Sequence, residues 1–229
     1  MPLQLLPLPL SEFDIYARVG DVAFRPGICS VLYANGMTPE GIRHAAAKAQ
    51  RYEQKQPGRM HFFKIMDTDL SSDGPFGQVI AVAQWKVFAQ RSEEEIKQEE
   101  EEENQDEEQY GTNPDIAPGN MLNFLHELHR VLDACRMKHL GNKPYVLLHA
   151  LCTLPEHERR GAGSLALEWG AAKADELGLP AYLEGSPKGV PLYKKFGFEV
   201  VESLPLDARD FGYHEALTHM CMLRQPKTQ

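Results

Sequence analysis

The sequence of 229 residues lacks several features that would each assign it to a class of protein. Its four cysteines form no C-x-x-C pair, which argues against a disulfide or zinc framework and favours reduced thiols. No stretch is long and apolar enough to cross a bilayer as a helix. The first residues carry no basic segment and are interrupted by prolines, unlike a secretory signal. We therefore expect a cytoplasmic protein with no bound metal and no membrane partner.

An excess of basic charge is also lacking. The formal net charge is −9, but residues 93–109 alone hold eleven acidic side chains against one lysine. Outside that stretch the charges nearly balance, so the body has no basic face of the kind that nucleic acids bind. The hydrophobic content of 42% is sufficient for a well-packed core. We expect no nucleic-acid partner.

The acidic stretch interrupts an otherwise regular pattern of apolar periodicity. Residues 91–118 predict a disordered acidic insertion in a surface connection, with a solvated helix followed by a linker from Asn104 to Gly119. The next helix carries His126 and His129 on one face, but no third ligand accompanies them, which favours a structural role. The insertion lies within one domain that spans residues 1–229.

Apolar periodicity predicts the order β-α-α-β-β-insertion-α-β-α-β-α-β-β, typical of a single α/β domain. Ser11 is expected to cap the first helix, and Thr38 the second, where Pro39 occupies the first helical position. Residues 61–66 and 78–88 predict two antiparallel strands joined by a turn.

Two glycines lie where a predicted strand, residues 145–151, turns into a predicted helix, residues 165–177. Gly161 and Gly163 allow a ligand to approach the main chain closely. The amides of such a loop and the helix N-terminus behind them form an anion site. Paired arginines, 159 and 160, add charges suited to phosphate oxygens. The pattern predicts a pyrophosphate site, although an isolated G-x-G more often only shapes a turn.

Two other phosphate-binding motifs fit this loop less well. A nucleotide P-loop requires Lys followed by Ser or Thr after the last glycine, whereas Gly163 precedes Ser164 and Leu165. A dinucleotide fingerprint has a third glycine where this chain has Ala166, a variant that some such proteins tolerate. That fingerprint also belongs after the first strand of a βαβ repeat, whereas this loop lies about two-thirds along the chain.

The loop and a later block together resemble the GNAT superfamily of acetyl-CoA-dependent N-acetyltransferases. The later block, residues 189–200, contains LYKKFGFEV, which is similar to the family's tyrosine-bearing helix and the strand after it. The family's loop begins with Gln or Arg, where this chain has Glu158, so we expect that side chain to point away from the phosphates. The resemblance covers residues 144–201 and implies a GNAT-like domain, a mixed, mostly antiparallel twisted sheet flanked by helices.

In such a fold, the resemblance implies that the strand ending at Leu151 diverges from the strand of residues 181–185. The pantetheine arm of acetyl-CoA enters this gap and the pyrophosphate rests on the loop. The residues implied to bind acetyl-CoA are Leu151, Cys152, Thr153, Leu154, Arg159, Arg160, Gly161, Ala162, Gly163 and Ser164.

The resemblance also implies direct attack of a neutral amine on the thioester. An alkyl ammonium has a pKa near ~10, so a base must first remove a proton. His149 and Glu184 are candidate bases, although a buried histidine and a helix-orienting carboxylate are the more usual roles. Tyr193 stands where the family places the acid that protonates the leaving thiolate. Cys152 is assigned to packing, because the resemblance implies no acyl-enzyme.

The predicted acceptor is a small-molecule primary amine, and the predicted assembly is a monomer or homodimer. Two alternatives stay open: acetylation of a protein N-terminus or lysine, and a non-catalytic acyl-CoA-binding module. The resemblance implies that the pocket is walled by residues 25–37 and 205–216. It also implies that Trp85 lies near this pocket, but core packing is the favoured interpretation for that side chain.

Overall fold

The computed structural model describes residues 3–25, 33, 35–212 and 216–227, and its centre is one seven-stranded sheet. The strand order is β1-β2-β3-β4-β5-β7-β6, and only β4 and β5 pair in parallel. The mixed, mostly antiparallel sheet that the sequence predicted is therefore confirmed. The strands are β1 Leu3–Pro7, β2 Met60–Asp67, β3 Val79–Phe88, β4 Tyr145–Thr153, β5 Ala181–Gly185, β6 Glu199–Asp207 and β7 Ala216–Arg224.

Helices cover both faces of this sheet. They are α1 Phe13–Phe24, α2 Pro39–Lys55, α3 Glu93–Tyr110, α4 Asn120–Leu140, α5 Ala162–Leu177 and α6 Val190–Lys195. Alternation along β4 turns Val146 and Leu148 towards the cluster that contains α5. Tyr145 and Leu147 on the other face pack with α4. Helices α1 and α2 cover the same face as α4, over β2 and β3.

The starts of the first two helices show one prediction confirmed and one wrong. Thr38 caps α2, because its Oγ1 accepts a hydrogen bond of 3.1 Å from the amide of Gly41, and Pro39 follows it. Ser11 does not cap α1. It lies inside a short 3₁₀ turn, Leu10–Glu12, which places Glu12 at the helix boundary without a side-chain cap.

The acidic segment differs from the predicted linker. Its helix α3 continues past Asn104 to Tyr110, and begins at a capping box in which Ser92 and Glu95 exchange hydrogen bonds. Beyond the helix, Asp115 accepts hydrogen bonds of 2.7 Å from the amide and hydroxyl of Thr38. The segment therefore starts with its own helix cap and is bonded to the body near its end.

Ion pairs explain why so many carboxylates form a helix against the body. Arg51 of α2 donates to both carboxylate oxygens of Asp106, at 2.5 and 2.8 Å. Glu99 pairs with Arg59 and Arg91, which flank the strands beneath. The acidic residues on this face of α3 thus neutralise arginines, which composition alone does not reveal.

Trp85 is a core residue, as the favoured interpretation of the sequence held. Its side chain is 0% exposed, and its indole nitrogen donates to the carbonyl of Ala166 at 3.2 Å. The ring occupies the space beside Gly170 of α5, where an added Cβ would lie 2.0 Å from an indole carbon. Helix α5 therefore approaches the sheet closely because position 170 has no side chain.

We predict that Gly170→Ala destabilises the fold even though alanine favours helix. The methyl group must displace the indole ring, and such overpacking costs about 1–3 kcal/mol. The control is Gly20→Ala in α1, where a Cβ meets no atom within 4 Å and alanine gains about 0.5–1 kcal/mol. Urea unfolding followed by circular dichroism measures both changes. A Gly170→Ala protein as stable as the Gly20→Ala protein would contradict the packing argument.

Candidate functional site

The site is built around a break in the pairing of β4. Gln84 of β3 is opposite Ala150 and Trp85 is opposite Leu148, so His149 has no cross-strand partner and forms a bulge. Pairing between β4 and β5 ends at Leu148 and Leu183, although both strands continue. The predicted divergence of these two strands is thereby confirmed, and it leaves one edge of β4 open beyond the bulge.

The predicted pyrophosphate loop leads from β4 into α5. Gly161 caps α5 with a φ of 99°, and Arg159 has a φ of 60°, the one positive value at a non-glycine residue in the described ranges. Within those ranges, the amides of residues 159–163 donate no hydrogen bond. A row of unpaired amides at a helix N-terminus is the arrangement that binds an anion.

The charged side chains of this loop have different tasks. Glu158 pairs with Lys188 at 2.7 Å, so its carboxylate already has a cation partner. Arg159 is exposed and makes no ion pair within the described part of the chain, so its charge is available to a phosphate. Arg160 instead donates to the buried Asp67.

The ion pair of Arg160 alters its predicted role. Burial by itself would raise the pKa of Asp67, but hydrogen bonds from the Asp69 amide and from Arg160 lower it below its ordinary value. Asp67 is therefore a carboxylate that requires a cation. The guanidinium of Arg160 is therefore held in an ion pair that anchors the loop to β2, and it is not free to bind a phosphate.

The remaining predicted acetyl-CoA ligands line the end of β4 and the start of α5. Cys152 and Leu154 are buried, and Cys152 packs with α1 as predicted. Gly163 contacts α6 so closely that an added Cβ would lie 2.8 Å from a methyl carbon of Leu192. Leu151, Thr153, Gly161 and Ser164 are half-buried, and Ala162 is buried.

Tyr193 of α6 extends its ring to the gap between the diverging strands. Its ring packs over Gly185, the last residue of β5, where an added Cβ would lie 2.6 Å from a ring carbon. Its hydroxyl makes no hydrogen bond to the part of the chain that the structure describes. Burial, with a smaller effect of the Cys152 thiol, raises the pKa of Tyr193 to about 12. The hydroxyl is thus protonated at neutral pH and unused by the fold.

A cavity of about 420 Å³ opens on the sheet face that α1, α2 and α4 cover. Gln84, Lys86 and His149 form part of its floor, Tyr52 of α2 and Arg136 of α4 line its sides, and α3 contributes carboxylates. The hydroxyl of Tyr16 donates to Gln84 Oε1 at 3.0 Å and fixes that amide. The cavity lies over the bulge in β4, so His149 belongs to both features.

His149 meets the geometric requirement for a base at this position. Its ring is open to the cavity, and it makes no hydrogen bond within the described residues. The surrounding protein, and then Lys86 and Arg136, lower the pKa of His149 well below its ordinary value. The imidazole is therefore neutral at pH 7 and can accept a proton.

Glu184, the other candidate base, is held in an ion pair. Arg136 of α4 donates to its two carboxylate oxygens at 2.6 and 3.2 Å, and the side chain is only 6% exposed. Burial raises the pKa of Glu184, and Arg136 opposes that rise. The contact ties α4 to β5, which is the helix-orienting role that the sequence left open.

Lys86 and Arg136 are cavity residues that the sequence prediction missed. The one available signal was a lysine within an otherwise apolar strand, between Trp85 and Val87. Part of the predicted acceptor wall, residues 26–32, 34 and 213–215, lies outside the described residues. Leu206 and Phe211 from the described part of that wall pack with α4.

Comparisons with known proteins agree with this geometry. Residues 81–198, just over half of the chain, match the family described as "Acetyltransferase (GNAT) family". A protein of Ajellomyces capsulatus described as "Probable acyltransferase SID5" is 40% identical over 42 residues, which are 18% of this chain and 31% of that protein. The chain thus matches less than a third of that relative's length.

Two solved structures have the same fold at low identity. The Drosophila melanogaster polyamine N-acetyltransferase has a TM-score of 0.59 and 16% identity, over 97% of this chain and 99% of that one. The structure titled histone acetyltransferase HPA2 and related acetyltransferase, from Corynebacterium glutamicum, has a TM-score of 0.58 and 16% identity, over 100% and 99% of the two chains.

Within the described ranges, no helix combines the length and the apolar character needed to cross a membrane. The family match extends from β3, through the diverging strands and the amide-lined loop, to the helix that carries Tyr193. On that match and that geometry, the chain belongs to the GNAT family of acetyltransferases.

Proposed function

We propose that this enzyme transfers the acetyl group of acetyl-CoA directly to the primary amine of a small molecule. One observation carries the proposal: Tyr193 and His149, which make no hydrogen bond within the described residues, lie where β4 and β5 diverge, one on each face of the sheet. Tyr193 reaches that gap over the end of β5, whereas His149 stands at the bulge of β4 beneath the cavity.

The cofactor would bind along the open edge of β4 and the loop that follows. The pyrophosphate accepts hydrogen bonds from the unpaired amides of residues 159–163, with the N-terminus of α5 behind them and Arg159 beside them. The pantetheine arm lies between the diverging strands, beside residues 151–154. This places the thioester at the level of the bulge.

The reaction is a single displacement. The amine nitrogen attacks the thioester carbonyl carbon, the nitrogen–carbon bond forms, and the carbon–sulfur bond breaks. His149 removes a proton from the amine, and Tyr193 donates its proton to the departing thiolate. Lys86 assists indirectly, because its positive charge helps to lower the pKa of His149 and so keeps the base neutral.

Enclosure of the cavity supports a small acceptor over a protein. The cavity has walls from α2, α3 and α4, and ion pairs such as Arg51–Asp106 fasten α3 across it. A peptide acceptor would require an open groove in place of these helices.

The position of Tyr193 argues against a module that only binds acyl-CoA. Location in the cytoplasm and a monomeric or homodimeric state stay predictions.

A substrate screen tests the proposal. Purified enzyme with acetyl-CoA is offered alkyl diamines, arylalkylamines and lysine-containing peptides, and release of free thiol is measured. Turnover with a small amine, and little with peptides, is the expected result. Faster turnover with peptides would select the protein-acetyltransferase alternative, and thiol release with none of them would favour a binding module.

Arg159→Glu is expected to weaken acetyl-CoA binding by about 10–100-fold, which corresponds to about 1.4–2.8 kcal/mol. The exposed cation is lost and a carboxylate repels the pyrophosphate, while no ion pair of the fold is broken. Isothermal titration calorimetry measures the affinity. The matched control is Arg130→Glu, an equal charge change at an exposed site on α4. Equal affinities for the two variants would refute the loop assignment.

Tyr193→Phe is expected to lower kcat by about 10²–10⁴-fold, the usual contribution of a positioned proton donor. Acetyl-CoA affinity and the melting temperature should change little, because the ring still fills the space over Gly185. Tyr193→Ala provides the contrast, since it empties that space and should destabilise the fold by about 3–5 kcal/mol. Wild-type turnover by the phenylalanine variant would show that the hydroxyl has no catalytic task.

The pH dependence of His149→Gln tests the base. Because the pKa of His149 lies well below its ordinary value, the wild-type base stays neutral as pH falls through ~6.5 and is protonated only at lower pH. We expect kcat/KM of the variant to be reduced throughout, with the wild-type advantage constant near pH 6.5 and lost only in more acidic buffer. His126→Gln, an exposed histidine of α4, is the control. An advantage that disappears already at pH ~6.5, the ordinary histidine value, would contradict this environment.

A further inference from the structure

Four side chains of metal-binding type meet on α4 and the last two strands, outside the catalytic cavity. Cys135 and His139 lie one turn apart on α4, so they project from the same side of the helix. Glu202 of β6 and Cys221 of β7 are direct cross-strand partners and therefore share a face of the sheet. In the sequence, only Cys135 and His139 have the i,i+4 spacing of a ligand pair on one helix. Glu202 and Cys221 lie more than sixty residues further along the chain.

The ligand atoms are close together in the folded chain. Cys135 Sγ lies 3.1 Å from Cys221 Sγ and 3.6 Å from Glu202 Oε2. His139 Nε2 lies 2.7 Å from the same Glu202 oxygen. The atoms of Cys135, His139 and Glu202 all lie within 4.8 Å of one another. A tetrahedral Zn²⁺ site with bonds of 2.0–2.3 Å has ligand atoms roughly 3.3–3.8 Å apart. The three groups within 4.8 Å of one another therefore need shifts of up to about 1 Å, and Cys221 Sγ, which lies against Cys135 Sγ, must move further to complete the shell.

The surroundings suit a cation with thiolate ligands. The two cysteines are buried at the base, whereas His139 and Glu202 are half-buried and leave a route from solvent. The hydroxyl of Tyr182 donates to Cys135 Sγ at 3.3 Å, an outer hydrogen bond that orients a ligand. Lys138 now pairs with Glu202 at 2.8 Å, but its side chain is 63% exposed and can move away.

We propose that Cys135, His139, Glu202 and Cys221 bind one Zn²⁺ ion. Two thiolates, an imidazole and a carboxylate are a donor set that zinc accepts in structural sites, where four protein ligands close the coordination shell. The ion ties α4 to β6 and β7. Helix α4 also carries Arg136, which holds Glu184, so the site fixes one wall of the cavity from behind. This proposal does not depend on the proposed reaction.

The first test measures metal in the full-length chain. The protein is produced without a histidine tag in zinc-supplemented medium, desalted, and analysed by inductively coupled plasma mass spectrometry. We expect about one zinc per chain, as for a closed structural site. The variants His139→Ala and Cys135→Ser should lose most of it. His126→Ala on the same helix and Cys152→Ser, another buried thiol, should retain it.

The second test uses the wild-type chain alone, because a variant that fails to fold would lose zinc whether or not the replaced residue is a ligand. Apo-protein is titrated with Co²⁺, and an intense near-ultraviolet thiolate-to-cobalt band with tetrahedral visible bands is expected. Zinc should then displace the cobalt and raise the melting temperature, because a ligand that binds only the folded state stabilises it.

Three results would overturn the proposal. The first is a chain that contains no zinc and gives no thiolate–cobalt band, although Cys135 and Cys221 react with a thiol reagent after denaturation and are therefore reduced. The second is a Cys135–Cys221 disulfide, seen by mass spectrometry as the loss of two hydrogens under native purification. The third is zinc that is retained equally by His139→Ala and His126→Ala, which would place the ion elsewhere.

Discussion

The bulge at His149 is the constraint on which the rest of the site depends. An extra residue in β4 shifts the register of its pairing with β3 and coincides with the point where β5 turns away. Without that divergence β4 would keep a partner along its whole length, and its edge could not accept a cofactor. The same irregularity points the imidazole into the cavity. One local irregularity in the sheet therefore accounts for the open edge of β4 and for the position of His149, the two features on which the proposed reaction rests.

Close packing on the opposite face holds this irregular region in place. Helix α5 lies against the sheet because Gly170 admits the indole ring of Trp85, and the ring of Tyr193 lies over Gly185. In each contact an aromatic ring fills the space where the glycine has no side chain, so helix α5 and the sheet can shift little relative to each other. The amides at the start of α5 are consequently held at a fixed distance from the end of β4. Precise placement of a cofactor requires this rigidity.

The sequence predicted what is encoded locally and missed what depends on contacts between distant segments. Alternation along the strands, the Thr38 cap and the glycines of the loop act over a few residues, so the sheet and the sharp turn into α5 could be predicted. The extent of α3 could not, because its carboxylates are neutralised by arginines from other segments, such as Arg51, which lies 55 residues before its partner Asp106. The pairing of Arg160 with Asp67, and the approach of Cys135 to Cys221, are likewise products of the tertiary fold. Pattern reasoning therefore predicted the backbone shape of the loop better than it predicted which charged side chains remain without an ion-pair partner.

The charges around the cavity have a consequence for catalysis. Most cations near it already have carboxylate partners: Arg51 binds Asp106, Arg136 binds Glu184, and Arg91 binds Glu99. Lys86 makes no ion pair within the described ranges and lies over the ring of Tyr52, and desolvation lowers its pKa to about 8. Because Glu103 and Asp133 also line the cavity, the cations and carboxylates of its lining balance, and burial is the main reason for the low pKa of Lys86. The positive charge of Lys86 in turn helps to lower the pKa of His149, which keeps that imidazole neutral and able to accept a proton.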